Sequence, residues 1–414
     1  MLFCLYFAPY SSPTFTRALR GMVLVIGLFF PIFGTAQTLG DAVQHAWSRQ
    51  PLASALSARE GEAQARADLA NGMLPAPASL SLSNVSDKLS TDTGKDAWEL
   101  ELAMPMWLPG QRGAREREAA AGLSEIDARR AALRLQIAGE VREAWWALAN
   151  ARQAARLAEN REATAIALES DVLRRFKAGE LARTDANLAT NESLIAKSEL
   201  LDAHTVLRQL DQAYRVLTGK DAPTHLVEES PPSSMEVPAS HPQLSASLAS
   251  SQLAHSRLNV AQESRREAPE LAIKLVRERG DFGTPYANAL GVKLTVPFSL
   301  GAKVRQETSA AHAEVLQADA ELAIAKQRIE LEVTRNKLDS EAARQQWINA
   351  QKRMELNADT LRLAEKMFAL GESDLSALLR ARASAFESEA SFNRQRTAYF
   401  ASISRLNQSL GVIP

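Results

Sequence analysis

Three landmarks in this 414-residue chain recur 192 positions further on. Met104-Pro105, flanked by Leu102 and Leu108, returns as Val296-Pro297 flanked by Leu294 and Leu300. Phe176-x-x-Gly179-Glu180 returns as Phe368-x-x-Gly371-Glu372, and Gly219 returns as Gly411. One constant offset at three separated markers identifies an internal duplication and rules out a single irregular domain. Each copy reads helix, strand, strand, very long helix, short break, helix. The first repeat is expected over 37–219, with two strands at about 78–107. The second is expected over 240–414, with two strands at about 269–298. Pro223, Pro231, Pro232 and Pro238 mark 220–239 as a linker that cannot hold regular structure.

The helical segments are the longest. No proline occurs from Gly113 to Arg174, and after Gly113 the only glycines in that run are Gly122 and Gly139. Ile137, Val141, Ala144, Leu148, Ala151, Ala155 and Ala158 fall at alternating spacings of four and three, a coiled-coil stripe. A helix of that extent is a rod of roughly 90 Å. The second copy predicts a matching helix over 303–370, and return helices over about 184–217 and 374–410. Low glycine (19) and aromatic (6%) content belongs with such rods.

The strands alternate strictly. Trp98, Leu100, Leu102 and Met104 interleave with Glu99, Glu101 and Ala103. Leu290, Val292, Leu294, Val296 and Phe298 interleave with Gly291, Lys293, Thr295 and Pro297. Leu80 and Leu82, and Leu271, Ile273 and Leu275, mark the weaker partners. Apolar-out, polar-in alternation over about ten residues is the pattern of a transmembrane barrel strand. A soluble hairpin with one wet face has the same pattern, and the second copy at equal offset favours the barrel. Trp98, Trp107, Tyr286 and Phe298 are expected at the membrane interfaces. Glu99, Glu101, Lys274 and Lys293 are expected to face the lumen as a solvated wall without strong charge preference. Four strands cannot close a barrel, so the chain must associate; three copies supply twelve strands.

Charge and cysteine usage exclude several classes. Lys+Arg (48) and Asp+Glu (49) nearly cancel, against a nucleic-acid binder. Arg17 and Arg20 precede an apolar run over 21–33 and the small residues Gly34-Thr35-Ala36, a signal peptide spanning 1–36. Its removal takes away the single cysteine, Cys4, and two positive charges, leaving 46 − 49 = −3. No cysteine stands at the cleavage point, so no lipid anchor is expected. His45, His204, His225, His241, His255 and His312 show no i, i+3 or i+4 pairing, so each reads as a surface or packing residue. No phosphate loop, nucleophile elbow or H-E-x-x-H is present, so neither an enzyme nor a cofactor is expected.

These features together resemble the TolC family of outer-membrane efflux proteins over nearly the whole mature chain. Arg175-Phe176-x-x-Gly179 with Thr184-Asp185 is similar to the family's R-F-x-x-G-x-x-x-x-T-D. Leu39-Gly40-Asp41-Ala42-Val43 followed by Gln50-Pro51 is similar to its first helix. Trp107-Leu108-Pro109-Gly110-Gln111-Arg112 and the closing Leu410-Gly411 look most like the heavy-metal, CzcC-like branch. The resemblance implies a mainly α chain with a small transmembrane β part. It implies a homotrimer with a twelve-stranded barrel in the outer membrane, continuous with an α-helical periplasmic barrel. It also implies a periplasmic adaptor and an inner-membrane RND pump as partners. Arg175, Phe176, Gly179, Glu180, Arg183, Phe368, Gly371 and Glu372 would form tips that dock the adaptor. Thr184, Asp185, Asp374, Ala377, Arg380 and Arg382 would line the periplasmic gate. The family's gate uses a tyrosine, an arginine and aspartates, whereas the second copy here has Phe368, Ser373, Ala377 and Arg380. Closure is therefore expected through other links, such as Asp185 with Arg380 or Arg382 of a neighbouring helix. The alternatives are a multidrug or other small-molecule duct of the same fold, a soluble periplasmic coiled-coil scaffold, or an adaptor.

Overall fold

The two proline-free stretches form single helices in the computed structural model, which describes residues 38–90, 92–298 and 301–414. The expected signal peptide lies outside the described residues. Helices α1 (Leu39–Arg49) and α2 (Pro51–Ala70) precede strands β1 (Ser79–Ser86) and β2 (Asp96–Pro105), then α3 (Gln111–Lys177) and α4 (Arg183–Thr218). The order continues with α5 (Pro242–Glu263), β3 (Glu270–Arg279), β4 (Ala287–Thr295), α6 (Gly301–Ala369) and α7 (Leu375–Ser409). The chain is mainly helical with one four-stranded sheet, as the fold reading expects. α1 and α2 are separate because Pro51 cannot continue α1 but suits the first position of α2. Thr38 and Asp41 cap α1 reciprocally: the Thr38 hydroxyl accepts from the Asp41 amide at 3.1 Å, and the Asp41 carboxylate accepts from the Thr38 amide at 2.9 Å.

With 67 and 69 residues, α3 and α6 are each roughly 100 Å long. α3 packs in succession against α2, α5, α1, α7 and α4, and α6 packs against α5 and α7. The stripe residues Ile137, Val141, Leu148, Ala151 and Ala155 are buried. Ile137, Val141, Trp145 and Leu148 form one core with Leu39, Ala42 and Val43 of α1 and Tyr214 of α4. Ile329 and Val333 of α6 pack with Leu406 and Leu410 in a second core. The sheet order is β1-β2-β3-β4, antiparallel throughout, with Leu82, Leu100, Leu275 and Leu290 in one cross-strand row.

One expectation needs correction, and two gain detail. β4 ends at Thr295, so Val296 and Phe298 lie past the strand rather than within it. Pro297 has no N–H to give to a ladder. The segment over 220–239 lacks helix and strand, as its prolines dictate, yet it is strapped onto the bundle. Arg142, 2% exposed, donates from Nε and Nη2 to both Glu229 oxygens at 2.9 and 2.7 Å, and from Nη1 to Gln408. Arg396 pairs with Glu228, Asn407 donates to the Ser230 carbonyl, and Arg152 donates to the Pro223 carbonyl. The histidines also differ among themselves. His204 and His255 face Glu159 and Asp319 at the surface, whereas His241 is buried with Nε2 3.2 Å from the Ser409 carbonyl.

Arg142→Ala strands the Glu229 carboxylate in a site only 12% exposed. We expect a loss of about 3–5 kcal/mol in denaturant unfolding, with Arg142→Leu/Glu229→Leu recovering part of it because no lone charge remains. His241 yields a pH dependence. Burial pushes its imidazole below the usual 6.5, with the Ser409 carbonyl and Glu332 acting weakly upward. The unfolded chain therefore takes up the proton first, and stability falls as pH drops below about 6.5. The thermal midpoint should fall more steeply between about pH 7.5 and 5.5 for the wild type than for His241→Gln.

Candidate functional site

The sheet has one apolar and one polar face because side chains alternate along each strand. On the apolar face, Leu80, Leu102, Ile273 and Val292 form one row beside that of Leu82, Leu100, Leu275 and Leu290. These eight side chains are 40–75% exposed. Four successive apolar levels, from Met106 and Val296 just past the strands up to Leu100, cover about 20 Å, and Trp98 stands at their edge in a row that also holds Arg277. The apolar band of a membrane barrel is about 25 Å tall. Among the described residues no helix is long and apolar enough to cross a membrane.

The polar face is paired rather than merely solvated. Lys274 Nζ lies 2.9 Å from Glu99 and Lys293 Nζ lies 3.1 Å from Glu101. Gly291 stands opposite Lys274, and a Cβ there would meet the Lys274 stem at 3.1 Å. The four residues expected in the lumen thus form two cross-strand pairs of opposite charge. Of the expected interface aromatics, Trp98 lies on the apolar face and Tyr286 just before β4. Trp107 lies past β2, with its indole N–H donating to the Gly72 carbonyl at 3.1 Å.

The turns opposite the sheet are built alike. Gly179 has φ +83° and Gly371 has φ +76°, conformations that side chains with a Cβ avoid. Glu180 N–H donates to the Arg175 carbonyl and Gly179 N–H to that of Phe176. Glu372 donates to Met367 and Gly371 to Phe368 in the same manner, so both are Schellman ends. The two phenylalanines are not equivalent. Phe368 is buried with Leu168, Val172, Leu375 and Leu378, whereas Phe176 is 37% exposed. Arg175 lies over the Phe368 ring at 5.1 Å and pairs with Glu180 at 3.3 Å. Gly179, Glu180, Arg183, Gly371 and Glu372 are exposed, and nothing lies within 4 Å of a Cβ added at either glycine.

The expected gate residues are close in sequence to these turns, and the one bond between two of them, Ala377 N–H to Asp374, is a helix cap. Asp185 accepts from the Ala182 amide at 3.2 Å, and Asp374 accepts from the Ala377 amide at 2.7 Å, each securing the start of its own helix. Arg382 donates to the Thr164 carbonyl and to Glu365, both at 3.1 Å, fastening α7 to α3 and α6. Arg380 and Thr184 are exposed. The expected links from Asp185 to Arg380 or Arg382 are therefore absent within one chain, because capping and interhelix bonds occupy Asp185 and Arg382.

Two features escaped sequence reasoning. One is a groove of about 990 Å³ between α2, α3, α5 and α6, lined by residues of both signs such as Arg66, Glu118, Arg257 and Glu314. Its only sequence signal is the mixed charge on four separate helices, which does not indicate that they converge. The other is a charged row at one end of the apolar sheet face, where Arg277 and Arg279 take the positions at which leucine is due. That break in alternation is visible in the sequence.

The second half of the chain, residues 236–412, matches the family model described as outer membrane efflux protein. No curated protein matches in sequence. Solved structures match over most of the length. The outer membrane protein VceC of Vibrio cholerae is 17% identical, with 90% of this chain and 96% of that one covered and a TM-score of 0.75. The CmeC outer membrane channel of Campylobacter jejuni is 18% identical, with 90% and 85% covered and a TM-score of 0.72. The MtrE outer membrane channel of Neisseria gonorrhoeae, solved in its open state, is 16% identical, with 90% and 89% covered and a TM-score of 0.72. At these identities the likeness carries the fold: the described chain has the architecture of TolC-like outer-membrane channels, and its second half carries the outer membrane efflux protein signature.

Proposed function

We propose that this protein is the outer-membrane exit duct of a tripartite efflux system, working as a homotrimer with a periplasmic adaptor and an inner-membrane RND pump. The observation that carries this reading is the open sheet. Four antiparallel strands with an exposed apolar face leave β1 and β4 as unpaired edges beside a broad apolar surface, a combination that invites pairing with further strands. Edge-to-edge pairing of three copies closes a twelve-stranded barrel with the leucine rows toward lipid and the Lys–Glu pairs toward the lumen.

The helices support the same assembly. Ile324, Leu331 and Leu338 of α6 follow one another at heptad spacing, as do Leu356, Leu363 and Leu370, and all are 48–74% exposed. Leu194 and Leu201 of α4 are 59% and 62% exposed. Such stripes suit coiled-coil seams with neighbouring copies. Helices of roughly 100 Å carry the duct away from the barrel. In this reading the tips dock the adaptor through Phe176, Gly179, Glu180, Arg183, Gly371 and Glu372, with Arg175 and Phe368 bracing the turn from inside. Thr184, Asp185, Asp374, Ala377, Arg380 and Arg382 lie beside the entrance, and closing links there form between copies.

Heavy-metal cations are the proposed cargo, on the resemblance of residues 107–112 and of Leu410-Gly411 to the metal-resistance branch. A duct passes its cargo without ligating it, so this reading assigns no metal ligands. A multidrug duct of the same fold is the second reading, favoured by the neutral polar face of the sheet.

The protein should sediment with outer membranes, require detergent for extraction and form ion-conducting pores in planar bilayers. Recovery in the soluble fraction would sink the duct in favour of a scaffold. Growth of a deletion strain on zinc, cobalt, cadmium, copper and antibiotics then decides the cargo. Gly179→Val or Gly371→Val should cost about 1–2 kcal/mol locally through the disfavoured φ. The protein should remain assembled in the membrane while resistance is lost. Loss of assembly itself would remove the support for docking.

A further inference from the structure

On the apolar sheet face the rows change character at one level. Beyond Leu275 the same parity of β3 carries Arg277 and Arg279, opposite Trp98 and Asp96 of β2. Among the described residues neither guanidinium forms an ion pair at contact distance, and Arg279 acts on Asp96 only through space. Arg279 donates from Nε to the Gly94 carbonyl at 3.0 Å, which leaves both terminal nitrogens available. Arg277 has no such bond and is exposed.

Tyr286 holds the two together. Its ring centroid lies 4.7 Å from the Arg277 guanidinium carbon and 4.9 Å from that of Arg279. The Tyr286 hydroxyl donates to Asp96 Oδ2 at 2.9 Å, and Asn84 Nδ2 donates to Asp96 Oδ1 at 2.8 Å. The one carboxylate of the cluster is hydrogen-bonded by these neutral donors and also feels the charge of Arg279 opposite it, and two guanidinium charges against one carboxylate leave the cluster net positive.

We propose that Arg277 and Arg279, braced by Tyr286, bind the phosphate of an anionic lipid headgroup in the outer leaflet. The inference rests on the membrane reading of the sheet. Three physical points favour a headgroup phosphate. Guanidinium forks match phosphate oxygens in pairs. The cluster lies level with and just above Trp98, at the edge of the apolar rows, where aromatic and basic side chains meet headgroups. It also lies at the hairpin end of the sheet, away from the helices, which the duct reading turns outward.

The test uses full-length protein purified from membranes in neutral detergent, with native mass spectrometry scoring adducts of bisphosphorylated lipid A. The wild type should bind this lipid and not its dephosphorylated form. Arg277→Gln/Arg279→Gln should weaken binding about tenfold or more. Arg277→Gln alone, which breaks no hydrogen bond of the fold, should weaken it in the same direction, and Lys274→Gln on the polar face should not. Inorganic phosphate at equal concentration should fail to compete. Equal binding of the dephosphorylated lipid, unchanged affinity in both arginine variants, or displacement by inorganic phosphate would each overturn the proposal. Wild-type protein that sediments with membranes yet shows no adduct would defeat this inference alone. Wild-type protein that stays soluble would defeat the membrane reading beneath it.

Discussion

A helix of 67 residues is stable only if an apolar partner follows it along its whole length, and α3 sets that demand on everything around it. It is met in relays: α2 and α5 near the sheet, α1 and α7 in the middle, and α4 from the middle to the turn. Arg142 lies in the middle of this relay. Its guanidinium joins α3 to Glu229 of the proline-rich segment and to Gln408 of α7, so the two halves of the chain meet at one buried charge. Two fully exposed halves joined by a slack linker would need no such group.

The sheet obeys a complementary constraint. Its polar face is satisfied within the chain by the Glu99–Lys274 and Glu101–Lys293 pairs, but its apolar face and both edges are not. Backbone groups left unpaired on an edge are tolerable only in water or against another strand. In the proposed duct, function therefore begins with association, and the exposed leucines of α6 and α4 serve the same requirement as the open strands.

The repeats were legible because duplication preserved spacing, and proline and glycine are unambiguous punctuation. The strands were legible because alternation survives wherever one face meets a uniform apolar medium. Other features were not. Phe176 and Phe368 occupy matching positions in matching motifs, yet only Phe368 is surrounded, because Leu168, Val172, Leu375 and Leu378 converge on it. Asp185, Asp374 and Arg382 read as gate groups by position, while the first two cap their own helices and the third joins three helices. A carboxylate near a helix start serves the backbone first, and only three-dimensional neighbours show whether anything is left over.

By itself the sequence determined the duplication, the four strands with their faces, the long helices and the two glycine turns, since all of these follow from local periodicity and backbone preference. Tertiary structure alone decided which members of a repeated pair are buried. It decided that the proline-rich segment is bolted to α3 and α7, and that Arg277 and Arg279 share one tyrosine ring. Those outcomes depend on side chains brought together from 87 to 266 residues apart in the case of Arg142, and from strand ends on both sides of a hairpin in the case of Tyr286. Spacing along a chain carries no record of contacts that arise only when separate elements pack.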